Sequence, residues 1–363
     1  MRPVYYLLAF LPVAIALEEV FHASAALVFA ASALSVIPSA AMMGTATEHL
    51  AARSGPGIGG LLNVTFGNAP EIIIAIFALA AGLQEVVKAS LVGSIIGNIL
   101  LVMGASMVVG GWRRERQTFN QTAMQAQSAM LLLALAALIV PAVYQLVHGG
   151  GLPRVGERGL DFGPALNELS LAVSLVLLLS YAAGLLFSLR THRQLFNPYQ
   201  EEEPGEHEEQ PPSVRRSLGL LALAGVLVGV SSELLVGSIT EASHSIGISE
   251  FFVGVIVVAV VGNAAEHWVA VLVARKDQMD LSINIALGSS AQIALFAAPV
   301  LVLLSFVISP FPMALVFNGY EIGAMLFAVV IGQVVVSEGE SNWFEGVQLL
   351  ALYVILGLLF YYA

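Results

Sequence analysis

The sequence predicts an all-α polytopic membrane protein with 11 transmembrane helices, arranged as two inverted five-helix repeats (spans 2–6 and 7–11) plus an extra N-terminal helix. Three observations lead there. Charged residues make up 11% of the 363-residue chain, less than half of the about 25% typical of soluble domains, so a water-facing surface cannot be coated. The apolar residues gather into runs of roughly the length that crosses a hydrocarbon core. A glycine-asparagine-glutamate signature occurs once in each half. The same composition excludes other classes. Fourteen Lys and Arg against 25 Asp and Glu leave a net charge of -11, with no basic patch for nucleic-acid phosphates. The absence of Cys excludes disulfides, thiolate metal sites and cysteine nucleophiles. No HExxH, Walker A or GxSxG motif occurs, so no protease, ATPase or serine hydrolase is predicted.

In chain order the spans are 4–20, 24–51, 59–81, 86–110, 121–145, 165–189, 217–242, 250–274, 281–307, 313–336 and 343–362. The first is interrupted by Pro12, ends at Glu18 and Glu19, and passes directly into another apolar run, so no cleavable signal peptide is read there. The N-terminus and the even-to-odd connections carry Arg2, Arg53, Arg113, Arg114, Arg116, Arg190, Arg193, Arg215, Arg216, Arg275 and Lys276. The other side carries Lys88, Arg154 and Arg158. The positive-inside rule then puts the N-terminus in the cytoplasm and the C-terminus outside. Compact loops and a short N-terminus suggest a cell (inner) membrane. Most connections are short; the exceptions are 146–164 and the polar stretch 190–216. The latter holds Glu201, Glu202, Glu203, Glu206, Glu208 and Glu209, with Pro204, Pro211 and Pro212 opposing a continuous helix. It reads either as a solvated linker or as a regulatory segment that senses or collects cations, since clustered carboxylates raise their local concentration.

Gly67-Asn68-Ala69-Pro70-Glu71 matches Gly262-Asn263-Ala264-Ala265-Glu266 at an offset of 195, and Gly93-Ser94 matches Gly288-Ser289 at the same offset. Upstream, Gly44 to Glu48 is similar to Gly237 to Glu241 at an offset of 193. Three matches in one order indicate duplication. The expected organisation is an N-terminal helix (1–23), a first repeat (24–189), an acidic cytoplasmic linker (190–216) and a second repeat (217–363). An odd number of spans per copy inverts the second copy in the membrane, the arrangement of many secondary transporters, whose sites lie where the repeats meet.

An ionisable side chain inside a span costs at least ~2.5–3.5 kcal/mol. Glu71 and Glu266 both carry that cost, at equivalent positions, which suggests one shared site. Asn68 and Glu71 share a helix face at i, i+3, as do Asn263 and Glu266. Pro70 cannot donate to the carbonyl of Phe66 and leaves that oxygen free. Gly67 and Gly262 permit unwinding or close helix approach. On the partner spans, Ser94 with Asn98 and Ser289 with Gln292 either present oxygen to the same centre or hydrogen-bond between helices. Oxygen-only ligands in flexible geometry suit a hard cation, Ca²⁺ better than Mg²⁺. Glu48 and Glu241 lie near the ends of spans 2 and 7 as vestibule or proton-entry groups, or else as interfacial residues. Glu233 lies deep in span 7 with no acidic counterpart. His267 follows Glu266 directly and so points about 100° away from it; it tunes the site, moves protons or simply packs. Glu321 has no assigned role.

At these residues the sequence resembles the cation/H⁺ exchanger (CAX) family, the Ca²⁺/H⁺ antiporters of the Ca²⁺/cation antiporter superfamily. The paired signatures carry the resemblance, with Gly288-Ser289-Ser290-Ala291-Gln292-Ile293, Gly44 to Glu48 and the acidic stretch between the halves in support. It covers nearly the whole chain. It implies 11 helices in two repeats, with Glu71 and Glu266 carrying the exchanged ions, flanked by Asn68, Asn263, Ser94, Asn98, Ser289, Ser290 and Gln292. It implies no cofactor and no enzyme activity: Ca²⁺ and H⁺ are substrates, the lipid bilayer is the setting, and homo-oligomerisation is left open. One departure is Thr45, where the family's first-half motif usually carries a glutamate, so one vestibule carboxylate is missing. A Na⁺/Ca²⁺ exchanger of the same superfamily and a cation channel are the alternative readings.

Overall fold

The computed structural model describes residues 2–188 and 213–363. The linker glutamates Glu201, Glu202, Glu203, Glu206, Glu208 and Glu209 lie outside the described residues. A 3₁₀ segment, Arg2–Ala9, leads into α1 (Phe10–Glu19). Then come α2 (Ala25–Gly67), α3 (Ala69–Ala80), α4 (Gln84–Gly111), α5 (Gln121–Val147), α6 (Pro164–Leu186), α7 (Val214–Ile246), α8 (Glu250–Arg275), α9 (Met279–Ile308), α10 (Gly319–Val336) and α11 (Trp343–Tyr362). The fold is mostly helical. Among the described residues, 9 helices are long and apolar enough to cross a membrane. The shorter α1 and α3 are not among them.

α2 is helical throughout but not straight. On a straight helix Glu48 and Glu71 would lie about 35 Å apart, yet both line one cavity. A Cβ on Gly59 would collide with the carbonyl oxygen of Ala51, eight residues earlier. The chain therefore doubles back between 51 and 59, where the sequence predicts a connection between spans. Gly55-Pro56-Gly57 lies there, a composition that kinks helices.

Burial separates the centre from the rim. The apolar window of α4 is 78% buried inside the protein, against 22% for α6 and α11. Small residues let the central helices touch. A Cβ on Gly93 of α4 would collide with the carbonyl oxygen of Val255 on α8, and one on Gly254 would stand 2.9 Å from the carbonyl oxygen of Val86. Backbone approach through glycine is how helices gain contact where lipid removes the hydrophobic drive between them.

The loops form two groups. In one, β1 (Gln117–Thr118) pairs antiparallel with β2 (Glu340–Ser341), Arg116 bonds Glu340 at 3.2 Å and Arg114 bonds Asp277 at 3.1 Å. In the other, Gly156 N–H donates to Glu85 Oε1 at 2.7 Å, Arg158 pairs with Glu250, and Gln84 donates to Ser309 Oγ at 3.1 Å. These are the groupings that alternating spans would produce.

Span 10 begins later than predicted. Residues 313–318 are not helical but are buried, and side chains satisfy their backbone: Ser305 Oγ accepts from Met313 N–H at 2.7 Å and Ser170 Oγ from Leu315 N–H at 3.0 Å. Asn318 and Glu321 then form a reciprocal capping box that starts α10, a stabilising device at helix N-termini. This gives Glu321 its structural role. Nearby, the buried Lys88 donates to the Val316 carbonyl at 2.8 Å and sits 5.8 Å from the Phe162 ring centre.

Candidate cation-binding site

The site begins with a local break. Asn68 leaves helical geometry at φ -93 and ψ 16, and α3 restarts with Pro70 in its first turn. A proline there costs nothing, because the first turn has unpaired amides in any case. Glu71 consequently lies in the first turn of α3, where the amide dipoles favour negative charge. The equivalent of Pro70 in the second half is Ala265, and α8 runs unbroken through Gly262, Asn263 and Glu266. One residue difference thus makes the two copies locally unlike. The Phe66 carbonyl, expected free, takes the Asn68 N–H; one of its two lone pairs remains.

The halves interlock reciprocally. A Cβ on Gly262 would stand 3.2 Å from Glu71 Cγ, and one on Gly67 would stand 3.7 Å from Glu266 Oε1. Each signature glycine makes room for the other half's glutamate. The asparagines cross in the same way: Asn263 Nδ2 donates to Ser94 Oγ at 2.9 Å, and Ser289 Oγ donates to Asn68 Oδ1 at 3.4 Å. Asn68 Nδ2 also donates to Gln292 Oε1 at 2.6 Å.

Glu71 and Glu266 line one cavity of about 300 Å³, together with Gly67, Pro70, Gly262, Ser289 and Gln292. Two acceptors in this region, Glu71 Oε2 and Asn263 Oδ1, are buried without a donor among the described residues. Buried acceptors are normally paired, so these two bare oxygens, one of them on a carboxylate, make this a candidate surface for a cation. Among the described residues no three His, Cys, Asp or Glu gather into a metal cluster; the oxygen supply is two carboxylates supplemented by amides and hydroxyls. The cavity continues past Thr45, Glu48, Leu281 and Asn284, toward the turn at Lys276 that joins α8 to α9. A second cavity of about 10 Å³ lies on the other side, lined by Glu71, Ile74, Ser90 and Ser94. Those are the offset-195 counterparts of Glu266, Val269, Ile285 and Ser289, which line the large cavity.

The remaining predicted residues divide. His267 Nε2 lies 3.1 Å from Asn98 Oδ1, so both sit beside the site, paired with each other. Ser290 Oγ donates to its own helix at Ala286 O, 2.9 Å, and does not line the cavity. Glu48 is exposed at the cavity wall. Glu233 and Glu241 are exposed on the face of α7 opposite its buried residues, and the structure does not bring them to the cavity. Sequence reasoning did not identify Asn284 or its partner Gln127, which have no repeat signature. It also did not foresee the π-helical segments Gly97–Val102, Val253–Val258 and Ile293–Ala297, a feature often found at functional sites. The first widens α4 at Asn98.

The family model described as sodium/calcium exchanger protein matches residues 24–190 and 216–362. A Ca(2+)/H(+) antiporter of Aphanothece halophytica is 41% identical over 98% of this chain and 95% of its own length. A Ca(2+)/H(+) antiporter of Synechocystis is 45% identical over 92% of this chain and 91% of its own. The solved structure of native YfkE superposes with a TM-score of 0.82 at 37% identity, covering 99% of this chain and 100% of that one.

Proposed function

The chain belongs to the sodium/calcium exchanger protein family, among its cation/H⁺ exchangers, and from that premise we propose that it exchanges cytoplasmic Ca²⁺ for external protons by alternating access. Its relatives are transporters rather than enzymes, and Ca²⁺ is cargo rather than a cofactor. The observation that carries the reading is the pair Glu71 and Glu266 on one cavity wall, with Glu71 Oε2 and Asn263 Oδ1 left without donors.

Two carboxylates carry two negative charges. One Ca²⁺ neutralises them, and so do two protons. Either loaded state can cross the low-dielectric transition; the empty dianion cannot, because stranding unpaired charge costs several kcal/mol per ion. The site therefore changes sides only when filled, and exchange becomes obligatory. Asn68, Asn263, Ser94, Ser289 and Gln292 supply neutral oxygens around the two acids. Glu48 lies on the proton and cation route, and His267 with Asn98 flanks it.

The layout that fits this reading has 11 crossings, with α1 and α3 completing the set. The N-terminus lies in the cytoplasm and the C-terminus outside, in a cell membrane. The two loop groups support the alternation, and the reciprocal glycines and asparagines support inverted repeats at 24–189 and 217–363. The same glycine in two surroundings supports a site open to the cytoplasm. Gly93 is pressed against α8, whereas its counterpart Gly288 faces the large cavity.

The chain has no Cys, so single cysteines report access without background. With no gradient imposed, Ile285→Cys should label with a membrane-impermeant thiol reagent from the cytoplasmic side. Its counterpart Ser90→Cys should resist the reagent from both sides. Labelling of position 90 from outside, with 285 protected, would reverse the assignment. The function itself is tested by reconstitution into liposomes with an imposed pH step, following Ca²⁺ and internal pH together. Coupled movement of both ions is expected, with no uptake under a Na⁺ gradient at clamped pH. Uptake driven by Na⁺ alone, or a large uncoupled conductance, would replace the proton-coupled reading.

A further inference from the structure

The face of α9 that lines the large cavity carries oxygen at Asn284 and again at Gln292, two turns or about 12 Å apart along the helix. Gly288 lies between them and leaves a notch. A Cβ there would stand 3.7 Å from Asn284 Oδ1 and 3.9 Å from Gln127 Oε1. Gln127 reaches in from α5 and donates Nε2 to Asn284 Oδ1 at 2.6 Å. It is 8% exposed, and its Oε1 has no donor among the described residues. Leaving a buried acceptor bare is costly unless an electropositive partner visits it.

The position equivalent to Asn284 in the other half, at the offset of 195, is Ala89. The Asn284 amide is therefore not part of the mirrored centre. Asn284 lines the route into that centre from one side, and Gln127 is bonded to Asn284 from α5.

We propose that Asn284 Oδ1 and Gln127 Oε1 flank a second cation subsite at the Gly288 notch, where Ca²⁺ pauses, still partly hydrated, before reaching Glu71 and Glu266. Two neutral oxygens attract a hard cation without supplying the charge that would hold it. Such a site captures and releases, and it bridges the distance between the cavity mouth and the carboxylates. The inference rests on the exchange reading above.

The test is pH-gradient-driven Ca²⁺ uptake into inverted vesicles, where the cytoplasmic face meets the added ion. Asn284→Leu and Gln127→Leu should each raise half-saturating Ca²⁺ about three- to ten-fold, the size expected for one lost polar interaction, with maximal rate largely retained. Gly288→Ala, which fills the notch and keeps both amides, should shift it in the same direction. Asn284→Asp, which adds charge at the same shape, should lower it. In right-side-out vesicles working in reverse, with Ca²⁺ added from the external face, half-saturation should stay unchanged in all four variants. A merely structural role would lower the maximal rate in both directions and leave the asymmetry absent. Unchanged half-saturation at the cytoplasmic face in all four variants would overturn the subsite while leaving exchange intact. Failure of the unsubstituted protein to take up Ca²⁺ on a pH step would overturn both.

Discussion

Glu71→Gln and Glu266→Gln are each expected to abolish pH-driven Ca²⁺ uptake in inverted vesicles, while the purified protein still melts cooperatively. The amide keeps the shape and one oxygen of the carboxylate but loses its charge and its exchangeable proton. A centre with one acid instead of two leaves Ca²⁺ with an uncompensated positive charge, and moving that charge through a low-dielectric transition costs several kcal/mol. At 1.4 kcal/mol per factor of ten, a deficit of that size amounts to a loss of about a hundred-fold or more. Removing the charge also relieves the repulsion between two acids that share one cavity, so stability should hold or rise. Near-normal uptake by either variant would take that residue out of the exchange step. Competition gives a companion result: acidifying the Ca²⁺-binding side should raise half-saturating Ca²⁺ and leave the maximal rate unchanged. A fall in maximal rate at constant half-saturation would mean that protons act elsewhere.

Gly93→Ala is expected to produce the largest loss of stability of any single methyl addition near the site. The new Cβ would meet the Val255 carbonyl oxygen at once and stand 2.8 Å from Ala259 Cβ. Backbone cannot swing aside as a side chain can, so α4 and α8 must separate. Overpacking of this kind costs about 1–3 kcal/mol, and here it also forces apart two helices in backbone contact. Thermal unfolding in detergent should show a clear drop. Gly288→Ala, the same substitution at the mirrored position, meets only contacts of 3.7 and 3.9 Å and should leave the melting temperature unchanged. Equal destabilisation at both positions would mean that the two sides are equally closed.

Much of the candidate site is legible in the sequence because membranes penalise charge. Glu71 and Glu266 announced themselves by cost and by repetition, and Asn68, Asn263, Ser94 and Ser289 followed from helical spacing and the common offset. Pro70 announced the break at Asn68, although the Phe66 carbonyl it was expected to free finds a partner in the Asn68 amide. Other predicted residues do not line the cavity, because periodicity in one helix does not say which neighbour it faces. Glu233 and Glu241 carry the same inserted charge as Glu71, yet they lie on the outer face of α7. Ser290 sits next to Ser289 but turns back to its own helix. Glu321 was a charge without a role until the capping box with Asn318 was seen.

The sequence by itself determined that this is a helical membrane protein with one acid in each of two matching signatures. Those properties follow from composition and from the free energy of placing charge in lipid, which act residue by residue. Only the tertiary structure decided that each half's glycine makes room for the other half's glutamate, that the space beside Gly288 is large while Gly93 is pressed against α8, and that Gln127 reaches across to Asn284. These depend on distances between segments far apart in the chain. Two equivalent glycines, Gly93 and Gly288, read identically in the sequence and differ only in what their neighbours have moved against them.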